Sequence, residues 1–171
     1  MDLKDLYRDV ILDHNKRPRN FGTLDPCDTS AEGHNPLCGD RLMLTLKLDD
    51  GRIGDIRFEG KGCAISTASA SMMTEAVKGL DRTAVTHLHE AVHRALTEQD
   101  HEPAAELGKL AALSGVRDYP ARVKCASLCW HTLAAALARS DAQDAESART
   151  AAASTAAASM APSSMAPVST E

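Results

Sequence analysis

The sequence predicts an α+β fold: a three-stranded antiparallel sheet packed against about five helices. Two patterns carry that expectation. Leu42, Leu44, Leu46 and Leu48 alternate with Arg41, Met43, Thr45 and Lys47, the period of a half-buried strand. Asp50-Gly51 follows, a pair favoured in tight type I′ turns, and Ile56 and Phe58 then alternate with Asp55, Arg57 and Glu59 to complete a hairpin. Beyond Cys63 the apolar spacing becomes helical and stays so to the end of the patterned region.

The remaining elements come in chain order. Leu3, Leu6, Tyr7, Val10 and Ile11 recur at helical spacing, so residues 2–14 read as an amphipathic helix. Pro18 and the stretch Arg17-Pro18-Arg19-Asn20-Phe21-Gly22 end it in a loop. Residues 27–34 supply the third strand. Ile65, Ala68, Met72 and Ala76 mark a helix ending near Gly79, and Asp81 is placed to N-cap the next, which runs to about Glu98. Pro103 opens another, with Leu107, Leu110, Ala111 and Leu113 as its apolar face. Pro120 precedes the last, whose buried stripe is Ala126, Trp130, Leu133 and Leu137. From Ser140 the chain is mostly Ala, Ser, Thr and Pro without an aromatic residue. Such a segment buries too little apolar surface to offset its ordering, so residues 140–171 are expected to be a disordered tail on a domain of residues 1–139.

Composition narrows the function. A net charge of −5 with 3% aromatic residues gives no electrostatic footprint for nucleic acid. No apolar run approaches a membrane span, and the start, Met1-Asp2-Leu3-Lys4-Asp5, has no signal-peptide h-region. A cytoplasmic protein with reduced thiols is expected. Five cysteines, an odd number, then favour metal binding or thiol chemistry over a disulfide framework.

Three of those cysteines have telling settings. Cys38 lies in Asn35-Pro36-Leu37-Cys38-Gly39-Asp40, whose proline and glycine describe a tight, exposed loop. Cys63 lies in Gly60-Lys61-Gly62-Cys63-Ala64-Ile65-Ser66, a glycine-rich turn opening a helix. Cys125 follows Arg122-Val123-Lys124, in what reads as the first turn of the last helix. Helix N-termini and neighbouring cations both stabilise thiolates, the form that attacks and ligates. Asp40, two residues beyond Cys38, is spaced to reach the same ion, and three sulfurs and a carboxylate suffice for a tetrahedral zinc site. On the residues alone, shared metal binding and burial of free cysteines as small apolar side chains both stand.

These segments, with Leu6-Tyr7-Arg8-Asp9-Val10-Ile11-Leu12-Asp13-His14 and Pro18-Arg19-Asn20, resemble the SufU branch of the IscU/NifU N-terminal-like family of iron–sulfur assembly proteins. The resemblance spans residues 6–130 in the family's order. It implies one zinc ion held by Cys38, Asp40, Cys63 and Cys125. It also implies a SufS-type, pyridoxal-phosphate-dependent cysteine desulfurase as partner, along with other iron–sulfur assembly proteins. Cys38 corresponds to the sulfur acceptor and the ligand that departs; the N-terminal helix and Pro18-Arg19-Asn20 are expected to contribute to docking. Scaffolds of the IscU type carry a histidine immediately before the third cysteine, where this chain has Lys124, and a proline-containing chaperone-recognition motif that this chain lacks. The extra helical stretch between Cys63 and Cys125 is also typical of the SufU branch. The expected function is therefore zinc-dependent sulfur transfer. The alternatives are an iron–sulfur scaffold binding a cluster, and a non-catalytic zinc protein that activates the desulfurase.

One rival motif is present. His89-Glu90-Ala91-Val92-His93 matches the H-E-x-x-H zinc-protease pattern on a predicted helix. The glycine and third histidine of the extended form are missing, with Leu96 and Gln99 in their places. Cys129, one turn after Cys125, reads as a buried small hydrophobe, and Cys27 has no motif around it. Arg122 and Lys124 are either thiolate-assisting cations or ordinary solvated charges. Met72 and Met73 read as core, and His14 and His34 have no compelling ligand spacing.

Overall fold

A computed structural model describes residues 2–100 and 102–159. The elements are α1 (Leu3–Lys16), β1 (Thr29–Asn35), β2 (Asp40–Asp49), β3 (Arg52–Lys61), α2 (Ala64–Val77), α3 (Arg82–Thr97), a 3-10 segment (Ala105–Val116) and α4 (Pro120–Ser159). The expected α+β architecture is present, with five helical segments counting the 3-10 one. The sheet order is β1-β2-β3 and both pairings are antiparallel. Asp50 and Gly51 turn the second hairpin with φ of 49° and 75°, the left-handed pair that a type I′ turn requires.

Alternation along β2 aims Leu42, Leu44 and Leu46 at the helices, where all three are buried with Ile56 and Phe58 of β3. α2 and α4 cover this face, and α4 lies closely over β1. The close approach depends on Gly33, where a Cβ would collide with Thr132 Oγ1. Thr29 Oγ1 donates to the Ala136 carbonyl at 2.8 Å, tying the strand to the same helix. α3 is N-capped by Asp81, whose side chain accepts from the Ala84 amide at 2.9 Å.

The loop after α1 is a clamp. Arg19 N donates to Ser71 Oγ, Asn20 Nδ2 to Thr74 Oγ1 and Lys78 Nζ to Asn20 Oδ1. Phe58 N and the Asn20 carbonyl bond at 3.0 Å. Pro18-Arg19-Asn20 thereby joins α1, α2 and β3.

Two expectations differ from the structure. The segment after Pro103 is not one α-helix but 3-10 turns interrupted at Gly108 (φ 50°, ψ −123°). Its buried Leu107, Leu110, Leu113 and Val116 recur every third residue, the period of a 3-10 helix and not of an α-helix. The tail expected from Ser140 starts as a continuation of α4, which runs to Ser159. A docked helical stub removes the nucleation cost and alanine has the highest propensity to propagate it. Residues 141–156 are nonetheless exposed throughout, so this extension is helix without a docked face. The rest of the expected tail, residues 160–171, lies outside the described residues. Among the described residues, no helix is long and apolar enough to cross a membrane.

Candidate metal centre

Asp40 opens β2 on the same face as Leu42 and Leu44, so its carboxylate is carried to the edge of the core and is only 2% exposed. Cys38 sits two residues earlier in the four-residue loop joining β1 to β2, closed by Gly39 N to the Asn35 carbonyl at 2.8 Å. Gly39 takes φ 74°, a left-handed conformation suited to glycine. Both Cys38 and its neighbour Leu37 (79%) are exposed. Cys63 is the N-cap of α2, its sulfur accepting from Ser66 N at 3.4 Å. Cys125 is buried in the second turn of α4, not the first as expected, because Pro120 already belongs to the helix.

Cys38, Asp40 and Cys125 come together, and Cys63 adjoins this group of three. Cys38 Sγ and Cys125 Sγ are 3.6 Å apart. The ligand atoms of Cys38, Asp40 and Cys125 all lie within 4.8 Å of one another. Cys63 joins them through Asp40: its Sγ is 3.9 Å from Oδ2, and its amide donates to Oδ1 at 3.0 Å. Two sulfurs bound tetrahedrally to one zinc ion would be about 3.8 Å apart, so the observed thiol spacing suits that ion. Gly62, whose importance motif spacing does not reveal, leaves room for the carboxylate; a Cβ would stand 3.0 Å from Asp40 Oδ1 and 3.1 Å from Ser66 Cβ. Its one sequence signal is its place directly before Cys63.

The electrostatics suit a cation. Burial alone would raise the Asp40 pKa. Hydrogen bonds from the Cys38 and Cys125 thiols and the Cys63 amide, with the Arg122 charge, outweigh that and hold it below the usual carboxylate range. Burial pushes the Cys125 thiol up, reinforced by its contacts with Asp40, Cys38 and Cys63. Without a metal Cys125 therefore keeps its proton, and a cation would have to displace it. Arg122 faces the cluster: the negative charge of Cys63 and a hydrogen bond to it, then Cys125, raise the guanidinium's proton affinity.

The other candidates lie elsewhere. Cys129 is fully buried against Ser69 Oγ at 3.3 Å, and burial pushes its thiol up to about 12. Cys27 is exposed. His14 is a core residue, its Nδ1 2.7 Å from Ser71 Oγ. His89 of the H-E-x-x-H stretch stacks on Trp130 with ring centroids 5.6 Å apart. Neither His89 nor His93 belongs to a converged group of three metal donors among the described residues.

The model of the NifU-like N-terminal domain matches residues 6–126. The chain is 43% identical over 140 residues to the zinc-dependent sulfurtransferase SufU of Bacillus subtilis, covering 82% of this chain and 95% of that protein. It is 42% identical over 138 residues to the iron–sulfur cluster assembly scaffold protein IscU of Streptococcus pyogenes, covering 81% and 86%. A crystal structure of an iron–sulfur cluster assembly scaffold protein for the SUF system, from Fervidobacterium islandicum, superimposes with a TM-score of 0.72 at 32% identity, covering 80% and 99%. The matched segment runs from α1 through Cys125 and contains all four clustered residues, so the chain belongs to the NifU-like N-terminal domain family.

Proposed function

We propose that this protein is a zinc-dependent sulfurtransferase that accepts persulfide sulfur on Cys38 from a pyridoxal-phosphate-dependent cysteine desulfurase of the SufS type, for iron–sulfur cluster biogenesis. The observation that carries this reading is the pairing of an exposed thiol with a sheltered cluster: Cys38 lies on an open loop, 3.6 Å from buried Cys125. Asp40, Cys63, Cys125 and Cys38 are the residues that would hold zinc. When bound, zinc supplies Lewis acidity that keeps its cysteine ligands deprotonated at neutral pH.

The chain's own residues account for the rest. Three thiolates and a carboxylate bring four negative charges to a dication, and Arg122 offsets part of the excess. Asp40, Cys63 and Cys125 are anchored on β2, α2 and α4, whereas Cys38 is held by a four-residue loop alone. Cys38 is therefore the ligand free to face a partner. Its thiolate attacks the terminal sulfur of the desulfurase's persulfide. A sulfur–sulfur bond forms on Cys38 as the donor's breaks, the desulfurase thiolate leaves, and no net oxidation occurs. A groove of about 560 Å³ beside Cys63, lined by Leu3, Tyr7, Ile65 and Tyr119 among others, supports docking through α1. Exposed Leu3, Leu6 and Tyr119 extend the same apolar surface.

The test mixes the full chain, desulfurase and cysteine, then locates persulfide by mass spectrometry. Persulfide on Cys38, absent in Cys38→Ser, is the expected result. Full stimulation of the desulfurase by Cys38→Ser would show the acceptor assignment to be wrong and favour an activating zinc protein. The scaffold reading draws on relatives named IscU. It predicts a stable, coloured cluster on the same four residues after reconstitution with iron and sulfide. Against it stands exposed Lys124 beside Cys125, which offers no imidazole ligand.

A further inference from the structure

We infer that Cys38 and Cys125 form a reversible oxidation site, which hydrogen peroxide converts to a disulfide that withdraws two of the four prospective zinc ligands. The two sulfurs are 3.6 Å apart, although 87 positions separate them in the chain. A disulfide bond is about 2.0 Å long, so the sulfurs have to close by about 1.6 Å. Cys38 can supply that movement, because it sits in the exposed four-residue loop between Asn35 and Asp40. Cys125 is fixed in α4 and only 1% exposed.

This difference in exposure orders the chemistry. A peroxide in solution meets Cys38 first. The Cys38 thiolate attacks one peroxide oxygen, the O–O bond breaks, and the departing hydroxide takes up a proton as water, leaving a sulfenic acid. Cys125 then attacks the Cys38 sulfur. A sulfur–sulfur bond forms as the sulfur–oxygen bond breaks, and the Cys125 proton leaves with the hydroxyl as a second water. Two thiols lose two electrons and one peroxide is reduced to two waters. A sulfenic acid without a thiol so near proceeds to the sulfinic acid, which is not recovered by thiols. Cys63 is the other thiol that could resolve it, and its position is poorer. Its sulfur accepts from Ser66 N and lies 3.9 Å from Asp40 Oδ2. It also stands outside the trio of Cys38, Asp40 and Cys125, whose ligand atoms lie within 4.8 Å of one another. The pairing needs only the two thiols, so it holds or fails apart from sulfur acceptance.

The test treats the untagged, zinc-loaded full chain with excess hydrogen peroxide and follows intact mass, zinc release to a chromophoric chelator, and disulfide linkage by peptide mapping. Fragmentation within peptides is needed, because Cys27 and Cys38 share one tryptic peptide and Cys125 and Cys129 another. The expected result is a mass loss of about 2 Da per chain, the two hydrogens of one disulfide, with a Cys38–Cys125 link and loss of the zinc. Dithiothreitol should restore both thiols and zinc binding. Cys27→Ser, an exposed substitution outside the cluster, should give the same link. A link from Cys63 to either cysteine would overturn the pairing. So would Cys38 carried to the sulfinic acid without a link, or left a thiol in excess peroxide.

Discussion

Asp40 shows how much one residue is asked to do at this site. Its carboxylate is buried, accepts from the Cys63 amide and contacts the Cys63 sulfur. Asp40→Ala removes both a prospective ligand and the group that orders Cys63. Zinc affinity should fall by at least tenfold in competition with a chromophoric chelator, while Cys38 remains alkylatable; unchanged affinity would remove Asp40 from the ligand set. Gly62→Ala should weaken zinc in the same assay, because its new Cβ crowds Oδ1 at 3.0 Å. His14 makes a separate residue-scale prediction about pH. Burial, followed by the Arg19 charge, holds its pKa below the ordinary 6.5. As pH falls, the unfolded chain takes up that proton first. The folded state therefore has its full stability above pH 6.5 and loses it progressively as pH drops toward the lower folded value. The loss is at most about 1.4 kcal/mol per pH unit for one proton. Urea denaturation at pH 7.5 and 5.5 should show a smaller decline for His14→Gln than for the parent chain. Equal declines would assign the acid sensitivity to other groups, the metal ligands foremost.

At the scale of elements, the clamp after α1 is where the local sequence has the most structural leverage. Asn20 adopts φ 56° and uses both atoms of its amide, accepting from Lys78 and donating to Thr74. Asn20→Ala loses both bonds and puts alanine in a left-handed conformation that asparagine tolerates better. The expected cost is about 1–3 kcal/mol, read as a lower denaturant midpoint with unchanged slope; a midpoint shift near zero would mean that α1 is held mainly by its apolar contacts. The elements also divide by how legible they are in the sequence. The β2–β3 hairpin is plain because alternation and the Asp50-Gly51 turn signal agree. Asp81 is legible as a cap because its side chain works locally. The 3-10 segment reads wrongly as an α-helix, although Leu107, Leu110, Leu113 and Val116 spell its three-residue period. At the candidate metal centre the resemblance implies that Cys38, Asp40, Cys63 and Cys125 share an ion, whereas motif spacing alone leaves that open. It does not reveal that Cys125 lies in the second turn of its helix, nor that Gly62 makes room for Asp40, since both depend on how α2, α4 and β2 are packed.

Across the whole molecule, α4 does two different things along its length. Its first half crosses β1 and α2, burying Ala126, Trp130 and Leu133 and carrying Cys125 to the cluster. Near Asp141 the docking ends: Arg82 bonds the Leu137 carbonyl and pairs with Asp141, both at 2.8 Å. Beyond that pair the side chains of residues 142–156 are exposed. Packing thus ceases near Asp141, while helical backbone continues past it. Local propensity and tertiary burial have different boundaries here, and sequence periodicity reports only the second. A chain ending at Asp144 keeps the Arg82 anchor and loses only undocked helix and the residues after it. Its stability to urea should match that of the full chain within about 0.5 kcal/mol, the usual range for surface changes, and zinc content should stay the same. Helical circular dichroism should fall in absolute amount, since residues 145–159 contribute helix to the full chain. A destabilisation well above that range, or loss of zinc, would show that the C-terminal region packs on the domain and that the folded unit extends beyond residue 144.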